Sequence, residues 1–297
     1  MKILINDPIS DKGAEILKEK GYKLTRHHYE KDELLGVMAD YDAMIVRSAT
    51  RVDQDVLDAA SGLKVVARAG TGIDNIDDKY AESKDIKVIN APGANSASAA
   101  ELAIAHCFAL ARFIPQSKIT MQKGEWNKKK FKGIELVGKT IGIMGFGRIG
   151  RITAKLALGL GMQVIAHDIS DVDTDLDVTF KSKNEVLQEA DFVVLHLPAL
   201  DEPFITEREL KLMKNAAYLV NGARGMLIDE EALLDALNKG TIAGAGLDVF
   251  IKEPPENMAL ISHKKTSVTP HIGAATQDAQ DRVGEMIANN LINALEN

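Results

Sequence analysis

The sequence predicts an α/β protein made of two doubly wound domains, each with a parallel sheet. Three observations predict it. Short apolar runs alternate with helical patterns along almost the whole chain, and such alternation means parallel strands joined by covering helices. The length, 297 residues, suits two domains better than one. One of the alternations, from Ile141 to Asp168, carries a glycine-rich turn between its strand and its helix.

In the first part of the chain, Ile3–Ile5, Ala43–Val46, Val65–Ala67 and Val88–Ile89 read as short buried strands. Helical patterns lie between them near Lys12–Lys20, Asp32–Ala39 and Gln54–Ala60. The stretch Asn95–Arg112 is dominated by small and apolar residues and is followed by Pro115. It predicts a long, nearly buried helix that joins one domain to the next and is stopped by the proline. Strands are then expected at Ile141–Met144, Val164–Ala166, Phe192–Leu195, Tyr218–Val220, Ala245–Leu247 and Ser267–Thr269. Six parallel strands make a full dinucleotide-binding domain. A last helical pattern, Thr276–Leu295, is expected to return to the first domain.

Composition narrows the function. Hydrophobic residues make up 45% of the chain and charged residues 27%, as in ordinary globular proteins. A net charge of −7, from 36 basic and 43 acidic residues, does not favour nucleic acid or an anionic membrane. The single cysteine, Cys107, sits inside an apolar helical pattern, so it reads as a packing residue and the expected setting is the cytoplasm. Met1-Lys-Ile-Leu-Ile-Asn6 reads as a first strand and lacks the apolar stretch of a signal peptide. No apolar run reaches the roughly 18 residues of a membrane span.

The glycine turn is the most specific signal. Ile141–Met144 leads into Gly145-x-Gly147-x-x-Gly150, a helical pattern follows from Arg148 to Leu160, and a second strand ends on Asp168. In such a unit one glycine allows the tight turn, one lets backbone approach a pyrophosphate, and one lets helix pack on strand. The N–H groups at the helix start, around Arg148 and Ile149, face the phosphates. Asp168 is placed to accept hydrogen bonds from a ribose diol and to repel a 2′-phosphate, which favours NAD over NADP.

Three further segments put polar residues at the carboxyl ends of predicted strands, where ligands sit in open α/β sheets. They are Val220-Asn-Gly222-Ala-Arg224-Gly225, Leu247-Asp248-Val-Phe-Ile-Lys-Glu253-Pro-Pro255 and Thr269-Pro270-His271-Ile-Gly273. Oxidation of a hydroxy acid needs what they supply. A guanidinium holds a carboxylate with two hydrogen bonds and polarises the neighbouring carbonyl. An imidazole takes the hydroxyl proton, and a carboxylate beside the ring orients it. Each residue also has a plainer reading. Arg224 could cap a helix or pair with Asp229, and Glu253 could be an exposed loop carboxylate. The six histidines other than His271 read as surface or packing residues. A nucleophile elbow G-x-S-x-G is absent, and one cysteine with no H-E-x-x-H leaves no metal site.

These residues carry a family resemblance over nearly all of the chain. It resembles the D-isomer-specific 2-hydroxyacid dehydrogenases, most closely those that act on D-3-phosphoglycerate. The supporting segments are N-x-x-R-G at Asn221–Gly225, D-V-F-x-x-E-P at Asp248–Pro254, P-H-x-G at Pro270–Gly273, Val46–Thr50, Ala67–Asn75, Asn90–Glu101 and Trp126–Lys130. The resemblance implies a Rossmann NAD-binding domain, residues 94–271, inserted into a flavodoxin-like substrate domain formed by residues 1–93 and 272–297. Arg224, Glu253 and His271 become the catalytic three. Thr71, Leu197, Gly222, Asp248, His271 and Ala274 join the glycine turn and Asp168 in holding NAD. Arg47 would meet a substrate phosphate, with Arg68 or Lys128 as further cations, and the loop Gly70-Thr71-Gly72 would face the substrate carboxylate. A homodimer through the NAD-binding domains is implied as well.

The implied reaction is oxidation of D-3-phosphoglycerate to 3-phosphohydroxypyruvate, the first step of serine biosynthesis. The alternative is the same chemistry on another acid, as in a glyoxylate or hydroxypyruvate reductase. A nucleotide-sensing protein of the corepressor kind is a more distant reading. Leu197 stands where family members often carry threonine or cysteine. The sequence ends shortly after the last helical pattern, so no strong serine feedback is expected.

Overall fold

The computed structural model describes residues 1–296, and contacts divide the chain into two compact units. One runs from Met1 to Asn95 and includes the C-terminal stretch from Ala274; the other is Ser96–Gly273.

The first unit contains β1 (Lys2–Ile5), α1 (Asp11–Glu19), β2 (Lys23–Arg26), α2 (Lys31–Val37), β3 (Ala43–Val46), α3 (Gln54–Ala59), β4 (Val65–Arg68), α4 (Asp78–Ser83) and β5 (Lys87–Asn90). Its five strands are parallel and ordered β2-β1-β3-β4-β5, the flavodoxin-like arrangement. Alternate residues of each strand feed two cores. Ile3, Ile5, Ala43, Ile45, Val65 and Ala67 pack on one face, with Leu17 of α1. Leu4, Met44, Val46 and Val66 pack on the other, with Leu34 of α2 and Val56 and Leu57 of α3. A strand buried on both faces reads as a continuous apolar run, which is why these strands were visible in the sequence.

The second unit contains α5 (Ser96–Ala111), α6 (Ile114–Gln122), β6 (Thr140–Met144), α7 (Arg148–Gly159), β7 (Gln163–His167), β8 (Thr179–Phe180), α8 (Lys183–Glu189), β9 (Phe192–Leu195), α9 (Glu207–Leu212), β10 (Tyr218–Asn221), α10 (Glu230–Lys239), β11 (Gly244–Leu247), α11 (Met258–Ile261) and β12 (Thr266–Val268). The sheet order is β12-β11-β10-β9-β6-β7-β8. Counted within the unit, this is 3-2-1-4-5-6 with a seventh strand added at the β12 edge. The order reverses between β6 and β9, and that switch point is where such sheets take ligands. The chain closes with α12 (Gln277–Glu296), whose Val283, Ile287, Ala288 and Leu291 pack into the first unit's core.

Several elements differ from expectation. The six strands expected in the second unit are present, but the two-residue edge strand β8 joins them. In the first unit, β2 and α4 are additional. Lys-Leu-Thr-Arg of β2 is an edge strand whose residues are half-buried or exposed, so it lacks the apolar run that marks a central strand. Pro115 does not merely stop α5. It occupies the first turn of α6, where a missing N–H costs nothing. α5 is buried along most of its length, including Cys107, and burial pushes that thiol up to about 12. Among the described residues, no single helix is long and apolar enough to cross a membrane.

One buried tie joins α7 to the sheet. His196, just after β9, sets its Nε2 2.8 Å from Thr153 Oγ1 on α7, and Thr153 is fully buried. Burial pushes the His196 imidazole down to about 4 from 6.5. The unfolded chain therefore takes a proton below pH 6.5 that the folded chain refuses until about pH 4. This contribution to stability is complete above pH 6.5 and is lost as pH falls towards 4. Burial lowers His106 as well, against the opposing charge of Asp248, so it acts in the same direction. His196→Gln should flatten the loss of unfolding free energy over that window. Urea unfolding of both proteins at stepped pH measures it; parallel profiles would refute the assignment.

Candidate active site

The glycine turn follows β6. Gly145 has φ +94°, and a methyl group on it would lie 2.5 Å from the His196 carbonyl oxygen. Only glycine tolerates both conditions. A methyl on Gly150 would lie 2.3 Å from the carbonyl oxygen of Gly145, so this glycine seats α7 against the turn. Gly147 is different: a methyl there would meet nothing within 4 Å. It is the N-cap of α7, and no side chain caps the helix. The N–H groups of Arg148, Ile149 and Gly150 therefore begin a 12-residue helix beside open space, a ready site for an anion. The Leu197 side chain lies over the same turn, its Cδ2 3.1 Å from the place where a Gly145 methyl would sit.

Asp168 follows β7 and does two things. Its Oδ2 accepts the Phe146 N–H at 2.7 Å and its Oδ1 accepts the Ser170 N–H at 3.0 Å. Burial opposes the charge, but N–H donors from Ser170, Phe146 and Ile169 outweigh it and hold the carboxyl below its ordinary range. The charged oxygen thus braces the glycine turn. Asp168 also lines an open cavity of about 460 Å³ with Ser170, Asp171, Val172, Asp173, Phe180 and Lys181. An uncapped helix start, an open position at Gly147 and an ionised carboxylate beside a cavity together fit a dinucleotide.

The three polar loops are assembled by backbone contacts. Buried Asn221, at the end of β10, accepts the Ala223 N–H at 3.1 Å and donates to the Arg224 carbonyl at 2.9 Å. A methyl on Gly225 would lie 1.9 Å from the carbonyl carbon of Phe250, so glycine here brings the Arg224 loop against the loop after β11. In that second loop Glu253 Oε1 accepts the Phe250 N–H at 3.2 Å. Glu253 Oε2 is 2.7 Å from His271 Nδ1. The pair is part-exposed, with 39% of the Glu253 and 49% of the His271 side chain accessible, as suits groups that must meet a ligand. His271 has φ +53°, which a non-glycine residue adopts at a cost unless its surroundings fix it. Arg224 Nη1 donates to the Ala223 carbonyl at 2.8 Å, and Asp229 caps α10 by accepting the Ala232 N–H.

In the first unit a buried carboxylate at the end of β1 organises the loop after β3. Asp7, 1% exposed, accepts the Arg47 N–H at 2.6 Å, the Thr50 N–H at 3.1 Å and the Thr50 hydroxyl at 2.8 Å. Asn75 Nδ2 donates to the Arg47 and Thr50 carbonyls at 2.7 and 2.6 Å. The backbone of Arg47 is thereby fixed while its side chain stays half-exposed. Near the end of β4, the Arg68 guanidinium lies directly over Gly70, where it would collide with any side chain. Thr71 donates its hydroxyl to Asn95 Oδ1 at 2.8 Å, and its carbonyl accepts from Asn90 Nδ2 at 2.6 Å. Gly72 is half-buried beside it, and Ala274 is half-buried at the start of the C-terminal stretch.

Of the remaining candidates, Gly222 faces Asp248, whose Cβ lies 3.9 Å from where a Gly222 methyl would be. Asp248 is 1% exposed, and its carboxylate accepts three donors from its own unit. Lys128 lies in an exposed stretch near Trp126. Sequence reasoning missed Asp7, Asn75, Asn221, His106 and Thr269. Asp7 carried a usable signal, a polar residue just past an apolar strand, and it holds the Arg47 loop.

Comparison with known proteins matches this arrangement. The family model described as D-isomer specific 2-hydroxyacid dehydrogenase, NAD binding domain, covers residues 104–273. A hydroxypyruvate reductase of Thermotoga maritima is 43% identical over 289 residues, covering 95% of this chain and 94% of that protein. A D-3-phosphoglycerate dehydrogenase of Methanocaldococcus jannaschii is also 43% identical, over 294 residues, covering 97% of this chain and 56% of the relative. The chain thus spans about half the length of the phosphoglycerate dehydrogenases it matches. A crystal structure of a Thermus thermophilus protein superimposes with a TM-score of 0.92 at 35% identity, over 100% of this chain and 97% of that one. The chain belongs to the D-isomer specific 2-hydroxyacid dehydrogenase family, with the family's NAD-binding domain in its second unit.

Proposed function

We propose that this NAD-dependent dehydrogenase oxidises D-3-phosphoglycerate at C2 to 3-phosphohydroxypyruvate, and runs the reverse reduction. The observation that carries the phosphorylated substrate is the Arg47 loop. A guanidinium on a backbone fixed by buried Asp7 and by Asn75 is a prepared anion contact, and arginine matches the geometry of phosphate oxygens. Arg68 is the candidate second cation.

The chemistry falls to the second unit. Bound nicotinamide supplies the hydride acceptor. His271 Nδ1 is engaged by Glu253, which leaves Nε2 to take the C2 hydroxyl proton, and Glu253 stabilises the ring as it gains charge. Arg224 holds the substrate carboxylate, with backbone N–H groups of Gly70–Gly72 as further donors. Asp168 selects the ribose without a 2′-phosphate.

A second reading, reduction of hydroxypyruvate, is favoured by the Thermotoga maritima relative, which this chain matches over nearly the whole of that relative's length. The two keto acids, 3-phosphohydroxypyruvate and hydroxypyruvate, differ by one phosphate, so Arg47 separates them. The proposed assembly is a homodimer through the NAD-binding units. Its support is an apolar surface on and beyond α6: Ile114, Ile119, Met121 and Trp126 are 54%, 52%, 54% and 80% exposed, more than scattered surface residues require. Lys128 is exposed two residues after Trp126, and its candidate phosphate contact belongs to the proposed dimer.

Three outcomes follow. With NADH, 3-phosphohydroxypyruvate should be reduced with a higher kcat/KM than hydroxypyruvate, and Arg47→Ala should raise KM for the phosphorylated acid by a factor of about 10–100. A preference for hydroxypyruvate that Arg47→Ala leaves unchanged would select the second reading. His271→Asn should lower kcat by about 10²-fold or more; a variant as fast as the parent removes His271 from proton transfer. Sedimentation of Ile119→Asp/Met121→Asp should give half the parent mass, and a monomeric parent would sink the dimer.

A further inference from the structure

One buried polar group takes no part in the chemistry above. His106 lies on α5, 3% exposed, among alanines, isoleucine, leucine and Cys107. An apolar residue would suit that face better, because a buried polar ring is costly unless its hydrogen bonds are met. Here both nitrogens are met: Nδ1 is 3.0 Å from Ser267 Oγ, and Nε2 is 3.1 Å from Thr269 Oγ1. Gly246 of β11 makes the room, since a methyl on it would lie 2.8 Å from His106 Cβ and 3.0 Å from Cγ.

The direction of this chain of hydrogen bonds follows from its far end. Thr269 Oγ1 is 2.5 Å from Asp248 Oδ1. A carboxylate only accepts, so the single hydroxyl hydrogen of Thr269 is committed to Asp248. The Thr269 oxygen can then only accept from His106, which places the ring hydrogen on Nε2. Burial favours the neutral ring, so Nδ1 is bare and accepts the Ser267 hydroxyl.

The chain ends at the segment that carries the base. Asp248 Oδ1 also accepts the Ile272 N–H at 2.8 Å, Oδ2 accepts the Gly273 N–H at 2.8 Å, and the Asp248 carbonyl accepts the His271 N–H at 2.8 Å. His271 hangs from these bonds in a left-handed conformation, which persists only where the surroundings over-determine it.

We propose that His106 is a positioning residue of the reaction: through Thr269 and Asp248 it holds the loop that aims His271 at Glu253 and at the substrate hydroxyl. The proposal rests on the role of His271 as the base. His106→Leu keeps the bulk and removes the donor; His106→Gln restores an N–H where Nε2 stood. Turnover would be measured with NADH and whichever 2-keto acid of a panel reacts fastest, NADH affinity by fluorescence, and the His106 tautomer by ¹⁵N NMR of histidine-labelled protein. His106→Leu should lower kcat on the order of 10-fold or more, with KM and NADH affinity near the parent's, and His106→Gln should recover most of it. Thr269→Val should repeat the loss, and the double variant should be no worse than either single one. The parent spectrum should contain a buried neutral ring protonated at Nε2. Unchanged kcat in Thr269→Val, a loss that His106→Gln does not repair, or a ring protonated at Nδ1 overturns the proposal. Should His106→Leu fail to fold, Thr269→Val and the tautomer still decide. A parent that turned over no 2-keto acid would refute the proposed reaction instead, and the spectrum would still test the relay.

Discussion

A parallel strand covered on both faces has only its ends free for polar chemistry. That constraint governs both units. Ile3, Leu4 and Ile5 are spent on two cores, and so are Val193, Val194 and Leu195. Most candidate residues for ligand or reaction therefore follow a strand or start a helix. Asp168 follows β7, Arg224 follows β10, His271 follows β12 and Arg47 follows β3. The fold does not choose the reaction, because many chemistries share it. It dictates where a reaction can be placed.

Loop residues placed this way need something to hold them, and both units use the same device. Asp7 comes two residues after β1 and Asp248 one residue after β11, and each is 1% exposed. Each spends its carboxylate on donors from the loop after another strand: Arg47 and Thr50 for Asp7, and Thr269, Ile272 and Gly273 for Asp248. Burying a carboxylate is expensive, and several charge-assisted hydrogen bonds offset that cost. Such an arrangement suits rigidity, since three donors already occupy each carboxylate. Asn221 does the neutral version of the same task for the Arg224 loop.

What the sequence made legible follows from this division. Central strands and the glycine turn were readable because burial and tight turns restrict residue type locally. The edge strands β2 and β8 were not, since half-exposed residues such as Lys23 and Thr25 carry no burial signature. Pro115 misled for a related reason: it is compatible with the end of one helix and the first turn of the next. The positions of Arg224, Glu253 and His271 at strand ends could be read from motifs. The bonds that fix such loops, Asp7 to Arg47 in one unit and His106 to Thr269 in the other, could not, because each pairs residues far apart in sequence. No local pattern distinguishes a histidine that packs from one that relays a hydrogen bond.

The same separation bears on substrate choice. The Thermotoga maritima reductase and the Methanocaldococcus jannaschii dehydrogenase are equally identical to this chain, although their named substrates differ by a phosphate as well as in oxidation state at C2. Equal overall identity therefore does not choose between the two acids. Discrimination between the two acids needs only one or two cations on a fixed backbone, because a hydrogen bond to a charged group is worth about 1.5–3 kcal/mol. The proposed cation, Arg47, belongs to the first unit, while the residues proposed for proton transfer belong to the second. Specificity can therefore change through a single loop of one unit while the chemistry of the other is left intact, and the Asp7-held loop is where that change would be made.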